Sequence, residues 1–213
     1  MATEYMVQVP LSELRIGFGR RFAAVFLDGI IVVVVSLLLN GMIGSELEPL
    51  LNEKIEQQTA QQSATLDELD EDSADAMMTM VRFFTVWTVV VLITGLLYYG
   101  LTEIFLAASP GKMMLGIKIA SQDGTPASTQ ALATRWFIKS GLSSLLGVVA
   151  TLSDSIVLSV LYPLVSFIVF IGYFFVFGEK RQALHDLIAK TAVYRREHIQ
   201  HQSVEDGTNP PVL

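Results

Sequence analysis

Three long apolar stretches dominate the chain and set its architecture. They run from about residue 22 to 43, from about 83 to 107 and from 136 to 177, with polar segments between them. A helix needs about 20 apolar residues to cross a bilayer. Each stretch reaches that length, so the pattern predicts an integral membrane protein built from helices.

The third stretch is about twice as long as one span requires. Its only polar cluster lies at 151–155, where we divide it into spans of 136–152 and 156–177. The first of these two spans is short and rich in glycine and serine, which leaves a re-entrant segment and a tightly packed helix as alternatives. The sequence thus predicts an all-α integral membrane fold, a bundle of four transmembrane helices.

The basic residues indicate the orientation of these spans. Twelve of the fourteen lysines and arginines lie in the segments 1–21, 108–139 and 178–213. Cytoplasmic segments of membrane proteins carry an excess of lysine and arginine. Four spans place all three segments on one side, so we expect a multi-pass protein with both termini in the cytoplasm.

The segment 45–79 is predicted to be an acidic external loop, with ten acidic residues and one lysine. Within it, Leu47, Leu51 and Ile55 recur every four residues, a spacing typical of a short amphipathic helix. We interpret the rest of the loop as a solvated arm, with a cation-collecting vestibule as the alternative.

Two short segments alternate apolar and polar residues, at 115–120 and at 191–196. This alternation is typical of strands, and we predict that the two segments pair as a small cytoplasmic β element beside the amphipathic parts of the chain. The remaining ends are predicted to be a cytoplasmic N-terminal segment, 1–21, and a disordered cytoplasmic tail, 195–213.

Composition narrows the classes of function. Only 16% of the residues are charged, whereas soluble domains carry about a quarter. The absence of cysteine excludes disulfides, thiol catalysis and thiolate metal sites. The segment around Lys112 lacks the first glycine and the final hydroxyl residue of a phosphate-binding loop. We expect no enzymatic activity, no cofactor, no metal site and no binding of nucleic acid.

Two carboxylates fall inside the predicted spans, Asp28 in the first and Glu103 near the end of the second. A charge in a span is costly unless it is paired, hydrated or protonated, and such residues often serve transport. Basic residues gather at the same boundary: Arg21, Lys112, Arg135 and Lys139. Three interpretations stay open: the acids pair with arginines and lock helices together, they exchange a proton or cation, or they serve the recognition of a lipid headgroup or ligand.

The spacing of these residues resembles the RDD family, bacterial membrane proteins named for one arginine and two aspartates. Arg21 and Asp28 match an arginine before the first helix and an aspartate inside it. The later motifs are matched by an acid at Glu103, the segment 109–119, and the closing segment 181–191 with Arg181 and Asp186. Arg135 matches an arginine before the third helix. The resemblance covers about 15–44 and 83–194, so we define 22–194 as an RDD-like membrane domain.

The resemblance implies a small helical bundle in the bacterial plasma (inner) membrane with a proposed transport role, for which cation/proton antiport is suggested in some members. The chain departs from the pattern at Lys190, where glycine is usual, and in its long acidic loop. Because Lys190 stands where glycine is usual, we expect a changed turn before the last strand.

These observations together predict a small membrane transporter that exchanges a monovalent cation for a proton. Asp28 is the expected titrating site and Glu103 a second ligand or proton acceptor. The expected counter-charges are Arg21, Arg135 and Lys112, and the expected inner-gate or structural residues are Arg181 and Asp186. The expected partners are the lipid bilayer, a monovalent cation or proton, and further copies of the chain. The alternative is a non-catalytic membrane scaffold that docks a partner on its cytoplasmic face.

Overall fold

The computed structural model describes residues 10–61, 70–153 and 155–199. Most of these residues are helical. The helices are α1 (Leu11–Leu14), α2 (Phe18–Gln61), α3 (Glu71–Leu106), α4 (Pro110–Met114), α5 (Thr129–Trp136), α6 (Leu142–Leu152), α7 (Ile156–Tyr173) and α8 (Leu184–Ile188), and the strands are β1 (Ile117–Ser121) and β2 (Thr191–Arg195). Short 3-10 turns follow α7 at Phe174–Phe177 and β2 at Arg196–His198.

Three helices are long and apolar enough to cross a membrane by length and composition. They cover Phe18–Glu53, Glu71–Leu106 and Ile156–Phe177. They correspond to the first, second and fourth predicted spans, so the predominantly helical, membrane-type fold is confirmed.

The predicted span 136–152 has an irregular structure. A π-helical segment, Phe137–Gly141, joins α5 to the 11-residue α6. π-Helical turns are rare and occur frequently at functional sites. This one carries Lys139, a charged residue inside an otherwise apolar run.

In place of the external loop over 45–79, the two flanking helices extend beyond the apolar spans. α2 continues to Gln61, and α3 begins at Glu71. The physical reason is apolar burial, because Leu51 and Ile55 pack against three valines of α3: Val86, Val89 and Val90. Part of the acidic stretch, 62–69, lies outside the described residues.

The predicted β element is confirmed. β1 and β2 pair antiparallel, with Ile117 opposite Arg195 and Ser121 opposite Thr191. The alternation puts apolar side chains of both strands into a core with residues from the helices, formed by Ile16, Ala24, Ile117, Ile119, Leu132 and Val193. Strand β2 also orders the start of the predicted disordered tail, since Arg195 belongs to it and Ile199 is buried. The rest of that tail, 200–213, and residues 1–9 lie outside the described residues.

The chain divides into two compact units. The first unit contains, among described residues, 10–28, 100–139 and 169–199, and therefore the sheet and the short helices. The second contains 29–99 and 140–168, with gaps at 62–69 and 154. In the second unit, Gly147 packs closely, since a Cβ there would lie 3.0 Å from the Tyr162 ring. This small residue therefore serves packing within the chain.

Candidate functional site

A cluster of buried charged side chains lies within the first unit. We call it the buried charge cluster. Asp28 and Asp186 are 0% exposed and Glu103 is 1% exposed, which is unusual for carboxylates. Its members are Arg21, Asp28, Glu103, Lys112, Arg135, Lys139, His185 and Asp186.

Helical geometry brings the cluster together from six segments of the chain. Arg21 and Asp28 are seven residues apart on α2, about two turns, so they share a face. Arg135 and Lys139 are four residues apart, across the junction between α5 and the π segment. Glu103 comes from the last turn of α3, Lys112 from α4, and His185 and Asp186 from α8.

Glu103 is the focus of three cationic side chains. Its Oε1 accepts hydrogen bonds from the ammonium groups of both Lys112 and Lys139, the latter at 2.5 Å. Its Oε2 accepts a hydrogen bond from the Arg135 guanidinium at 2.8 Å. Hydrogen bonds between ionised partners are about twice as strong as those between neutral groups. Three such bonds converge on this one buried carboxylate.

Arg135 links this group to a second carboxylate. Its Nε donates to Asp186 at 2.7 Å while its Nη1 donates to Glu103. Arg21 pairs with the other oxygen of Asp186. Asp186 also accepts from the backbone amide of Ala183 at 3.2 Å, at the start of α8. The arginines therefore tie α2, α5 and α8 to one another through Asp186.

His185 is held in its neutral form. The Arg135 Nη2 lies 3.3 Å from Nε2 of His185, so the guanidinium donates and the imidazole accepts. Burial lowers the pKa of His185 to about 3, helped by the positive charges of Arg135 and Lys139 against the attraction of Asp186. His185 is therefore an acceptor at neutral pH, and it stacks edge-on against Tyr173.

Asp28 has a different environment from Glu103. Its carboxylate accepts hydrogen bonds from the Ser109 hydroxyl at 2.5 Å and from the Gly111 amide at 2.7 Å. A Cβ on Gly111 would lie 2.8 Å from the Asp28 carboxylate and would collide with the Ala24 carbonyl. Glycine is thus required where α4 meets α2. Because Gly111 precedes Lys112, Asp28 fixes the turn that delivers Lys112 to Glu103.

The basic and acidic charges of the cluster do not cancel. With His185 neutral, there are three carboxylates (Asp28, Glu103 and Asp186) and four bases (Arg21, Lys112, Arg135 and Lys139), an excess of one positive charge. Burial disfavours the charged form of a base, and so does a neighbouring cation. A lysine is the group that yields its proton under such conditions, because arginine stays protonated.

Lys112 shows this effect. Burial lowers its pKa from 10.5 to about 7, and repulsion from Lys139 and Arg135 adds to the burial against the attraction of Glu103. The opposite balance holds at Asp186, where burial alone would raise the pKa but Arg135 and Arg21 hold it well below its usual range. The cluster therefore combines a carboxylate, Asp186, that stays ionised at neutral pH with a base, Lys112, whose pKa burial lowers to about 7.

Arg181 lies outside the cluster and acts on the backbone. It adopts φ +47° and donates to the carbonyls of Glu13 and Arg15, while its own carbonyl accepts from Arg21 at 2.8 Å. Lys190 has φ +53°, a left-handed conformation that glycine adopts without strain. The glycine that is usual there thus has a conformational reason, and the changed turn expected from Lys190 stays a prediction.

The predicted site residues thus fall into two groups. The structure brings Arg21, Asp28, Glu103, Lys112, Arg135 and Asp186 together, whereas Arg181 clamps the segment that precedes α2. Lys139 was grouped with these bases in the sequence, but it was not singled out as a site residue. Its position in an apolar run, one helical turn after Arg135, was the available signal.

Arg15 makes structural contacts around β2 that the sequence does not predict. Its guanidinium donates to Gln182 at 3.0 Å, to the carbonyl of Gln122 at 2.9 Å and to the Tyr194 hydroxyl at 3.3 Å. Gln182 in turn donates to the carbonyl of Thr191 at 2.6 Å. These contacts join distant parts of the sequence around β2, and no local pattern predicts them.

Comparison with known proteins identifies the family of this chain. The model of the RDD family matches residues 15–190. The chain is also similar to the protein called "Uncharacterized protein YxaI" of Bacillus subtilis (strain 168), with 29% identity over 179 residues that make up 83% of this chain and 95% of that protein. No solved structure matches. The family match extends over the whole buried charge cluster and all three long apolar helices, and on this basis the chain belongs to the RDD family of membrane proteins.

Proposed function

We propose that the protein is a small secondary transporter that exchanges a monovalent cation for a proton at the buried charge cluster. The observation that supports this best is the crowding of Lys112 and Lys139 on one oxygen of Glu103. Helices that are merely locked together need one base for each acid, and this cluster has one base more.

The exchange follows from charge balance at Glu103. When both lysines are protonated, Oε1 of Glu103 is occupied by two ammonium groups. Loss of a proton from Lys112 frees part of that oxygen and leaves a neutral amine beside it. Carboxylate oxygen suits hard cations, so a monovalent cation then binds in place of the proton. Proton and cation thus compete for the same place, which is the requirement for antiport.

The sequence led us to expect proton exchange at Asp28, but we assign this role to Glu103 and Lys112. Asp28 becomes a positioning residue, because it accepts hydrogen bonds from the turn that precedes Lys112. Arg21, Arg135 and Asp186 form the fixed frame around the exchanging group.

We also propose how the chain lies in the membrane. The continuous run of α5, the π segment and α6, with 8, 5 and 11 residues, serves as a fourth span. Four spans would leave both termini in the cytoplasm of a bacterial inner membrane, following the distribution of basic residues. Because four helices enclose little space, we further propose that several copies assemble to complete the path.

Flux measurements with purified protein in proteoliposomes test the proposal. A pH-sensitive dye inside the vesicles reports proton movement after pulses of Na⁺, Li⁺ or K⁺. Wild type is expected to collapse the proton gradient with at least one of these ions, and Lys112→Met to abolish that response. Lys180→Met changes an exposed lysine of the same unit and is the matched control, with flux equal to wild type.

Lys112→Met is informative because it balances the charges of the cluster. Glu103 keeps Lys139 and Arg135 as partners, so this variant is expected to fold and to insert normally. A folded variant without flux supports exchange at the lysine. Absence of ion-driven proton movement in wild type would refute the antiporter and would favour the alternative of a membrane scaffold.

A further inference from the structure

An open cleft lined by arginines lies on the surface of the first unit, apart from the buried charge cluster. Its volume is about 560 Å³. It lies where three segments meet: the first turn of α2, the turn between α4 and β1, and the end of β2. Its lining residues are Arg20, Leu115, Gly116, Arg195, Arg196 and Glu197.

The fold builds this cleft. Arg195 is held opposite Ile117 by the pairing of the two strands. The amide of Arg196 donates to the carbonyl of Gly116 at 2.9 Å. Gly116 has φ +65°, which lets the chain turn from α4 into β1. Backbone hydrogen bonds therefore fix the positions of two of the three arginines.

The cleft carries a net positive charge that its own residues do not neutralise. It holds three guanidinium groups and the single carboxylate of Glu197, which pairs with Arg195 at 3.3 Å. In the part of the chain that the structure describes, the guanidinium groups of Arg20 and Arg196 have no acidic partner. Both residues are exposed, so their donors are available to a ligand.

Apolar residues lie next to the cleft along the chain. Phe22 follows Arg20 by two positions on α2 and is 59% exposed. Met113 and Met114, directly before Leu115 of the lining, are also exposed. Phe22 begins the apolar run of the first membrane helix, and headgroups lie at the ends of such runs. The arginines are therefore at the depth of the lipid headgroups, with apolar surface beside them.

We propose that this cleft binds the phosphate group of an anionic phospholipid. Arginine is the residue best suited to phosphate, since its planar donors match two phosphate oxygens at once. Arg20 and Arg196 bind the phosphate directly, and the acyl chains lie along Phe22, Met113 and Met114. Soluble inorganic phosphate has the same chemistry and is the other source of such a group.

Lipid titration of the purified full chain in neutral detergent tests this inference. The probe is fluorescent phosphatidylglycerol, with zwitterionic phosphatidylcholine for comparison and inorganic phosphate as the competitor. Wild type is expected to prefer phosphatidylglycerol. The double variant Arg20→Gln, Arg196→Gln is expected to lose about thirtyfold in affinity, from the usual contribution of one basic residue at an anionic membrane surface.

A second variant guards against loss of folding as the explanation. Glu197→Gln removes the only carboxylate of the cleft and releases Arg195, so it is expected to raise affinity several-fold. Arg82→Gln, an exposed arginine of the second unit, is the matched control and should bind as wild type does. Competition by millimolar phosphate would assign soluble phosphate as the ligand and overturn the phospholipid proposal, whereas binding of phosphatidylglycerol that millimolar phosphate leaves unchanged supports it. Equal affinity of the double variant and wild type would overturn the proposal.

Discussion

The two units of this chain handle polar residues in opposite ways. All the buried charged side chains of the described residues belong to the first unit, where they form the buried charge cluster. The buried polar residues that the structure describes in the second unit are hydroxyl residues, Ser36, Thr85 and Thr94. The Thr85 hydroxyl donates a hydrogen bond to the carbonyl of Val81, one turn back on its own helix. The charged pair of Arg82 with Glu48, which also belongs to the second unit, is exposed.

This difference indicates a division of roles. Helices that only need to stay in a membrane can be apolar, with hydroxyls bonded to their own backbone. A buried ion pair is a poor way to gain stability, because desolvation offsets most of the attraction. Six buried charged residues, with Arg21 at their edge and the neutral His185 among them, are therefore the reason why we propose that the first unit holds the functional centre and that the second provides span length.

The largest expected effect comes from removing the central acid. Glu103→Gln leaves three buried bases without their carboxylate, which is expected to destabilise the protein by about 3–5 kcal/mol. Glu48→Gln, the same change in the exposed pair of the second unit, should cost less than about 1 kcal/mol. Denaturant unfolding of both variants in detergent measures the contrast. Similar small losses in the two variants would contradict the division between the units.

Replacement of a closely packed glycine by alanine is expected to have the next largest effect on stability. Gly111→Ala places a Cβ against Asp28 and the Ala24 carbonyl, and such overpacking costs about 1–3 kcal/mol. Gly41→Ala, on α2 in the second unit, has open space around the new methyl group and should be neutral or slightly stabilising. Thermal unfolding of the two variants checks this. Tolerance of alanine at 111 would show that α4 does not need its close approach to α2.

The pH dependence of stability sharpens the comparison further. Lys112 has a pKa of about 7 in the folded state, below its ordinary value of 10.5. Between these values the unfolded chain binds more protons, so this group makes stability rise with pH, by up to about 1.4 kcal/mol per pH unit. Below about pH 7 its contribution is constant. Unfolding of wild type and Lys112→Met from pH 6 to 9 measures the slope, and an identical slope in both would rule out titration of Lys112.

The smallest effect concerns the turn before β2. Lys190 occupies a left-handed conformation, which costs a residue with a side chain about 1–2 kcal/mol. Glycine removes that strain but loses about 0.5–1 kcal/mol of backbone entropy. Lys190→Gly is therefore expected to stabilise the protein by about 0.5–1 kcal/mol in the same unfolding assay. Destabilisation would mean that the lysine side chain stabilises the turn.

Much of the fold could be predicted from the chain because long apolar runs and alternating strands are local signals. The pairing of the segments near 117 and 191 followed from alternation alone. The extension of α2 to Gln61 could not be predicted in the same way. It depends on Leu51 and Ile55 finding partners on α3, which is a tertiary contact. The π segment at Phe137–Gly141 also has no periodic signature.

The site was predictable as a set of residues but not as a set of pairs. Charges inside apolar runs identified Asp28 and Glu103, the bases at the span boundary added Arg135, and the family motifs added Asp186. Sequence cannot show that Arg21 pairs with Asp186, or that Asp28 accepts from Ser109 and Gly111. These contacts join residues more than 80 positions apart. Only the folded arrangement reveals that two lysines share Glu103.

Proton release on cation binding tests the central claim most directly. Purified protein in weakly buffered detergent at pH 7 is mixed with Na⁺, Li⁺ or K⁺ while a dye reports the bulk pH. The account predicts release of protons from wild type with at least one of these ions, and no release from folded Lys112→Met, while Lys180→Met behaves as wild type. If no cation releases protons from wild type, the cluster does not exchange one for the other, and the claim is contradicted.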